Sequence, residues 1–209
     1  MGIAGTMTTP RKRAAALLDE HGRTFADECG IRVGRGTPAV LWQLLVASTL
    51  LASRISHELA VRAAVEVRKD FPTAKRMTEA HRDVVVASLR RGHYLRVFRT
   101  AELLHDSAAL VVSRYGGDLR RLRAEADGDL PRLTALLQEL PGIGPVGVEI
   151  FLREVQVVWT ELTPYAGERT LAQAAVLHLP TDPHGLADLV DAADVPRLMA
   201  ALVRSGLSS

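Results

Sequence analysis

The sequence has one cysteine, Cys29, and this scarcity excludes several kinds of site. A single cysteine forms no internal disulfide and cannot supply a four-cysteine metal or iron–sulfur site from this chain alone. No apolar run follows the charged residues at the start, which predicts the absence of a secretory signal. The longest apolar stretch, residues 39–52, is too short and too interrupted by polar residues to span a bilayer. We therefore expect a cytoplasmic protein with no membrane partner, no metal and no other cofactor.

Aromatic residues are also scarce, at 4% of the chain, while hydrophobic residues make up 47% and charged residues 24%. Apolar residues recur at three- and four-residue steps, as they do after Pro38, and no strand pattern competes with this periodicity. The sequence therefore predicts an all-α fold with Trp42 and Trp159 in its core. The predicted helices cover residues 14–26, 38–52, 59–67, 84–89, 94–115, 130–140, 146–158 and 169–178, with two short helices after Thr181 and Asp194.

Charge is nearly balanced overall, with a formal net charge of +2, but it is unevenly distributed. Residues 88–123 contain eight arginines and three acids, whereas residues 161–209 contain six acids and three arginines. A basic middle beside an acidic end predicts a protein with one phosphate-facing side. The alternative, an arginine-rich surface that is only solvated, stays open at this point.

The most informative motif is Leu-Pro-Gly-Ile-Gly-Pro at residues 140–145, between two predicted amphipathic helices. We expect positive φ at Gly142 and Gly144, which gives a sharp turn, and an inward-pointing Ile143 that holds it. Pro145 suits the first turn of the next helix, where its missing N–H is not needed. The free N–H groups at that helix N-terminus would then favour an anion such as a DNA phosphate, whatever the base sequence. A tight turn without a ligand is the alternative.

With this hairpin, the sequence resembles the endonuclease III-like DNA glycosylases of the helix-hairpin-helix superfamily. Residues 44–53 are similar to the family's early core helix, and residues 92–94 to its glycine–x–tyrosine turn before a long helix. Residues 164–169 are similar to the segment that carries the family's catalytic aspartate. The resemblance covers about residues 38–180, and the hairpin is its specific part.

The resemblance implies a DNA glycosylase-like fold with two helical lobes, bound to double-stranded DNA as a monomer and associated with the nucleoid. Residues 38–150 would form the lobe that carries the hairpin. Residues 10–37 and 155–209 would pair as the second lobe. The family's common iron–sulfur cluster needs four cysteines after the catalytic helix, and this sequence has none there.

The sequence departs from the family at the residue that distinguishes its two catalytic classes. Bifunctional members have a lysine two residues after the second hairpin glycine, and its amine forms a Schiff base with the sugar. That position is Val146 here, and the only lysines in the sequence are Lys12, Lys69 and Lys75. A conventional strand-cleaving lyase is therefore not expected.

Counting from the predicted helix end, the resemblance places the family's catalytic aspartate most directly on Gly167. A shift of one residue places it on Glu168, whose carboxylate could stabilise a cationic sugar or activate water. An acid in the first turn of a helix is also favoured by the helix dipole without any catalytic role. Both alignments stay open, and Glu149 is the next candidate for the acid.

The resemblance leads to one expected function and two alternatives. The expected function is a monofunctional glycosylase that removes a damaged base flipped out of the duplex, in DNA repair by base excision. The first alternative is a DNA-binding relative that has lost catalysis, and the second is a helical protein without nucleic-acid contact. Arg54 would fill the space of the flipped base or contact a phosphate, and His93 would face the DNA. The full set of expected DNA-binding residues is Gly142, Ile143, Gly144, Pro145, Val146, Arg54 and His93.

Overall fold

A computed structural model describes residues 9–207, which form α-helices and short 3₁₀ segments but no strand. In that range no helix combines the length and the apolar character that crossing a membrane requires. The α-helices are α1 (Pro10–His21), α2 (Phe25–Glu28), α3 (Pro38–Leu51), α4 (His57–Asp70), α5 (Ala74–Thr78), α6 (Arg82–Arg91), α7 (Val97–Tyr115), α8 (Leu119–Ala126), α9 (Leu130–Gln138), α10 (Pro145–Val155), α11 (Glu168–Val176), α12 (Pro183–Ala187) and α13 (Val195–Ser205). The 3₁₀ segments are Val33–Arg35, Thr160–Leu162 and Ala192–Asp194.

The chain divides into two compact units, residues 25–162 and residues 9–24 with 163–207. The larger unit therefore extends beyond the predicted lobe 38–150 at both ends. Its first residues are held by burial of Phe25 and by the Ala26 N–H, which donates to Glu154 Oε2 at 3.0 Å. Its last residues are held by Trp159, which is buried and packs in a T-shaped contact with Phe151.

The larger unit is built around α3, of whose fourteen residues ten are buried. The helix begins where Thr37 accepts a hydrogen bond from the Val40 N–H and Pro38 occupies the first turn. It packs against α10 and α4, α4 packs against α6, α6 against α7, and α8 against α9. Trp42 is buried and its indole N–H donates to the Phe71 carbonyl at 3.2 Å. The predicted core positions of Trp42 and Trp159 are thus confirmed.

The smaller unit is organised by α13, which packs against α1 and α11. Arg13 of α1 donates to the Leu177 and His178 carbonyls, just beyond the C-terminal end of α11. A cation at the carbonyl end of a helix is favourable because that end carries the negative pole of the dipole. The buried core of this unit consists of Ala14, Ala174, Leu179, Leu186, Val195, Leu198, Met199 and Leu202.

Several helices differ from the predicted ones, and the differences include those in α1, α7 and α8. The predicted helix 14–26 is two helices, because α1 ends at His21, where the Gly22 N–H bonds to the Leu18 carbonyl. The long helix α7 begins at Val97 rather than Tyr94. The segment 119–126, for which no helix was expected, forms α8 with Asp118 as its N-cap.

Gly92 closes α6 where this helix meets α4, and its missing side chain is essential to that contact. A Cβ at Gly92 would lie 2.4 Å from Ala63 Cα and 2.6 Å from Ala63 N. We expect Gly92→Ala to lower the free energy of unfolding by about 1–3 kcal/mol, as overpacking of a tight contact does. Urea denaturation measures this value. A Cβ at Gly34 meets no described atom within 4 Å, so Gly34→Ala is the control and should leave stability unchanged or slightly raised.

Candidate nucleic-acid interface

The hairpin joins α9 to α10 through residues 139–144, as the sequence predicts. Ile143 is buried, and its N–H donates to the Leu140 carbonyl at 3.2 Å. The Ile143 side chain fills the space beside Gly147, where an added Cβ would lie 2.8 Å from Ile143 Cγ1. The inward orientation predicted for Ile143 is confirmed, and it fixes the turn against the first residues of α10.

The two hairpin glycines have different conformations. Gly142 has φ +91°, the positive value that the turn was expected to need. Gly144 has φ −94° and ψ −175°, so the prediction of positive φ is wrong at this residue. The reason is that Gly144 is the N-cap of α10, and N-cap residues adopt extended backbone. A Cβ at Gly144 would meet no described atom within 4 Å, so nothing in the described chain requires glycine there.

The N-terminus of α10 is open to an anion. Gly144 offers no side chain as a cap, and Pro145 has no N–H. Within residues 9–207, the N–H groups of Gly144, Val146 and Gly147 have no hydrogen-bond acceptor. Unpaired donors at the positive end of a helix dipole form an anion-binding site. The absence of a Cβ at Gly144 allows a bulky anion to approach the main chain closely.

Two other segments lie beside the hairpin. A Cβ at Gly142 would be 3.3 Å from Thr49 Cγ2 in α3 and 3.1 Å from Leu103 Cβ in α7. Four residues beyond Thr49, Ser53 accepts a hydrogen bond from the Tyr94 hydroxyl at 2.7 Å. The hairpin, the end of α3 and the segment before α7 therefore lie close together, and we call their exposed residues the hairpin surface.

This surface contains most of the residues predicted to contact DNA. Arg54 follows Ser53 and is exposed. His93 is exposed and has φ +59°, which turns the chain sharply between α6 and Tyr94. Tyr94 itself is 4% exposed, so its ring belongs to the core and its hydroxyl orders the end of α3.

Two exposed residues of this surface were not predicted from the sequence. Leu95 is 72% exposed and Phe98 is 68% exposed, although both are large and apolar. The guanidinium of Arg90 lies 5.2 Å from the centre of the Phe98 ring. In the sequence, residues 94–99 mix apolar residues with arginines. That pattern predicted only the start of a helix and not an exposed apolar patch.

Fewer arginines of residues 88–123 are free to bind a phosphate than their number suggests. Several of them form ion pairs with carboxylates outside this segment. Among residues 9–207, only Arg90, Arg96 and Arg121 of this segment have no carboxylate within 4 Å. The ion pairs of the others are Arg91 with Glu66 and Asp70, Arg99 with Glu102, Arg114 with Glu125 and Glu139, Arg120 with Asp118, and Arg123 with Glu161.

Arg91 shows why such pairs stay charged at neutral pH. Hydrogen bonds from Lys69 and Arg91 lower the pKa of Glu66. Burial acts to raise the pKa of Asp70, but hydrogen bonds from Ser88 and Arg91 outweigh it and lower that pKa. Both carboxylates therefore remain ionised, and the guanidinium of Arg91 stays ion-paired with them.

The residues predicted to decide between catalysis and its loss lie in α10 and at the start of α11. Val146, which the sequence aligns with the lysine of bifunctional glycosylases, is the second residue of α10 and is half-buried. In the smaller unit, Gly167 is the extended N-cap of α11, and Glu168 is its first helical residue and is exposed. Glu149 lies on α10 and is half-buried. Across the described part of the chain, no three histidine, cysteine or acidic side chains gather closely enough to hold a metal ion.

Comparison with known proteins identifies the fold. No protein-family model matches the sequence, and no curated protein matches it. The structure of a thermostable thymine-DNA glycosylase is similar, with a TM-score of 0.59 and 13% identity over 92% of this chain and 84% of that chain. A trapped covalent intermediate of endonuclease III with DNA matches with a TM-score of 0.49 and 13% identity, over 76% of this chain and 70% of that one. The predicted all-α fold class is confirmed, since residues 9–207 contain helices and no strand and share the fold of this thymine-DNA glycosylase.

Proposed function

We propose that the protein binds double-stranded DNA through its hairpin and removes a damaged or mispaired base as a monofunctional glycosylase. The observation that carries this proposal is the open N-terminus of α10, where the N–H groups of Gly144, Val146 and Gly147 have no acceptor within the described chain. The shared fold with a thymine-DNA glycosylase supports the class of reaction.

In the proposed complex, main-chain N–H groups would bind the DNA backbone, and neighbouring side chains would position the duplex on the protein. The free N–H groups at α10 would hold one backbone phosphate without reading the base sequence. Arg54 and Arg96 are exposed and would add contacts to phosphates. Phe98, exposed beneath the Arg90 guanidinium, offers a flat apolar surface on which an unpaired base could stack.

The reaction would be hydrolysis of the bond between the base and the sugar. The base leaves with the bonding electrons, and a water molecule adds to the sugar carbon and loses a proton. A carboxylate stabilises the cationic sugar or takes that proton, and Glu168 is our candidate for this role. Val146 supplies no amine, so no covalent bond between protein and sugar is part of this scheme.

A second candidate function is DNA binding without catalysis. It is favoured by Gly167, which is the N-cap of α11 and aligns most directly with the family's aspartate. A glycine there carries no carboxylate, so the reaction would lack the charge that stabilises a cationic sugar. Under this proposal the hairpin keeps its contact with the phosphate.

Base release from a panel of duplexes, each with one damaged or mispaired base, tests the proposal. We expect abasic sites that break only after alkali treatment, because water rather than an amine takes the sugar. Borohydride should trap no protein–DNA adduct at any time point. Strand cleavage with a trapped adduct contradicts the proposed chemistry, and duplex binding without release of any base favours the second candidate.

A further inference from the structure

A second basic site lies near the N-terminal end of α3, away from the hairpin. It is a cavity of about 560 Å³ whose polar lining includes Arg32, Arg35, Arg68 and Gln43. Along α3, the cavity residue Thr37 and the hairpin neighbour Thr49 are twelve residues apart, roughly 18 Å at the rise of an α-helix. The cavity is therefore separate from the proposed DNA surface.

The charge of this cavity is not neutralised. No acidic residue is part of its lining, and within residues 9–207 no carboxylate lies within 4 Å of Arg32, Arg35 or Arg68. Two other surface cavities that contain arginines also contain acids, Asp70 in one and Asp127 with Glu161 in the other. Three unpaired guanidinium groups around one concave space favour an anion.

Arg68 has a buried donor without a partner. Its Nε atom is shielded from solvent and finds no acceptor among the described residues. Gly30, with φ +69°, makes room for the same guanidinium, because a Cβ there would lie 3.0 Å from Arg68 Nη2. A buried donor of a charged group is costly when it is unsatisfied.

The first turn of α3 adds one main-chain donor beside the cavity, the Ala39 N–H. Thr37 caps the Val40 N–H, Pro38 has no N–H, and in the described chain the Ala39 N–H has no acceptor. This fourteen-residue helix directs the positive end of its dipole to the same place as the three guanidinium groups. Arginine forks and helix N–H groups are the donors that proteins use to hold phosphate oxygens.

We propose that this cavity binds the phosphate group of a small phosphorylated molecule. Its volume lies in the range of small-ligand pockets, and its concave shape suits a free phosphate group better than the backbone of a rigid duplex. Arg68 would bind the anion through its guanidinium group, together with Arg32 and Arg35 from the loop before α3. This inference does not depend on the proposed glycosylase function.

Inorganic phosphate is the probe for this site. In ¹H–¹⁵N spectra of the full chain, we expect the Arg68 Nε–H signal to move on titration with phosphate and not with sodium chloride of equal ionic strength. By calorimetry, Arg68→Gln should weaken phosphate binding by about tenfold or more, because a hydrogen bond to a charged group is lost. The double variant Arg32→Gln/Arg35→Gln should weaken it similarly. It changes two exposed residues, so folding is not at risk.

The control is Arg62→Gln, on the same helix as Arg68 but paired with Glu58, which should bind phosphate like the wild type. A parallel titration with duplex DNA should give the same affinity for the cavity variants and the wild type. Equal response to phosphate and chloride, or wild-type phosphate binding by the cavity variants, would overturn the proposal. A loss of duplex affinity in the cavity variants would also overturn it and assign these arginines to the DNA backbone.

Discussion

Glu168→Gln is expected to slow base release by about a hundredfold or more, while duplex affinity stays close to that of the wild type. Glutamine keeps the size and the hydrogen-bonding ends of the side chain but removes the negative charge that a cationic sugar needs. Removal of one preorganised electrostatic group from an enzyme typically costs this much in rate. Single-turnover release from the best substrate of the panel measures the effect directly.

The control for this variant is Glu20→Gln, an exposed carboxylate of the same compact unit, which should release base at the wild-type rate. Loss of the Glu168 charge at the start of α11 weakens a favourable dipole interaction by only about 0.3–1 kcal/mol, so folding should persist. A wild-type rate for Glu168→Gln contradicts the assignment, and the same measurement on Glu149→Gln then tests the next candidate.

Gly144→Glu is expected to lower the affinity for duplex DNA by about a hundredfold. The new carboxylate would occupy the open space at the N-terminus of α10, where the proposed phosphate binds. Bringing two like charges together at an interface costs several kcal/mol. Fluorescence anisotropy with an undamaged duplex measures the loss without any dependence on catalysis.

The protein itself should tolerate this change, because a Cβ at Gly144 meets no described atom within 4 Å and the residue has ordinary negative φ. Gly34→Glu is the matched control, since it adds the same charge at another glycine with open space around it. Gly144→Ala should give a smaller loss, set by the methyl group alone. If Gly144→Glu binds duplex DNA with unchanged affinity, the hairpin is only a tight turn between two helices and does not contact a phosphate.

The fold and the hairpin could be predicted because their signals are local. Apolar residues at helical spacing mark α3, and Pro145 marks the start of α10. The conformation of Gly144 could not be predicted, since a Gly-x-Gly pattern does not say which glycine makes the turn and which caps the helix. Helix α8 was missed because its buried residues are only Leu119, Leu122 and Ala126 in an arginine-rich stretch.

The electrostatics of the surface could not be predicted, because they depend on partners distant in sequence. Arg91 is neutralised by Glu66, 25 residues away, and Arg123 by Glu161, 38 residues away. The cavity at Arg68 was missed for the same reason. It combines a loop, the start of α3 and the end of α4, and none of these segments has a motif that points to a ligand.

The donors at the hairpin are main-chain amides, and this has a consequence for regulation. An amide N–H does not titrate at any pH at which the protein stays folded, so the proposed phosphate contact has no proton linkage of its own. Acetylation or methylation, which act on lysine and arginine side chains, have no group to modify at Gly144 or Val146. A competing anion, or unfolding of the first turn of α10, would weaken this contact without any modification of its donors.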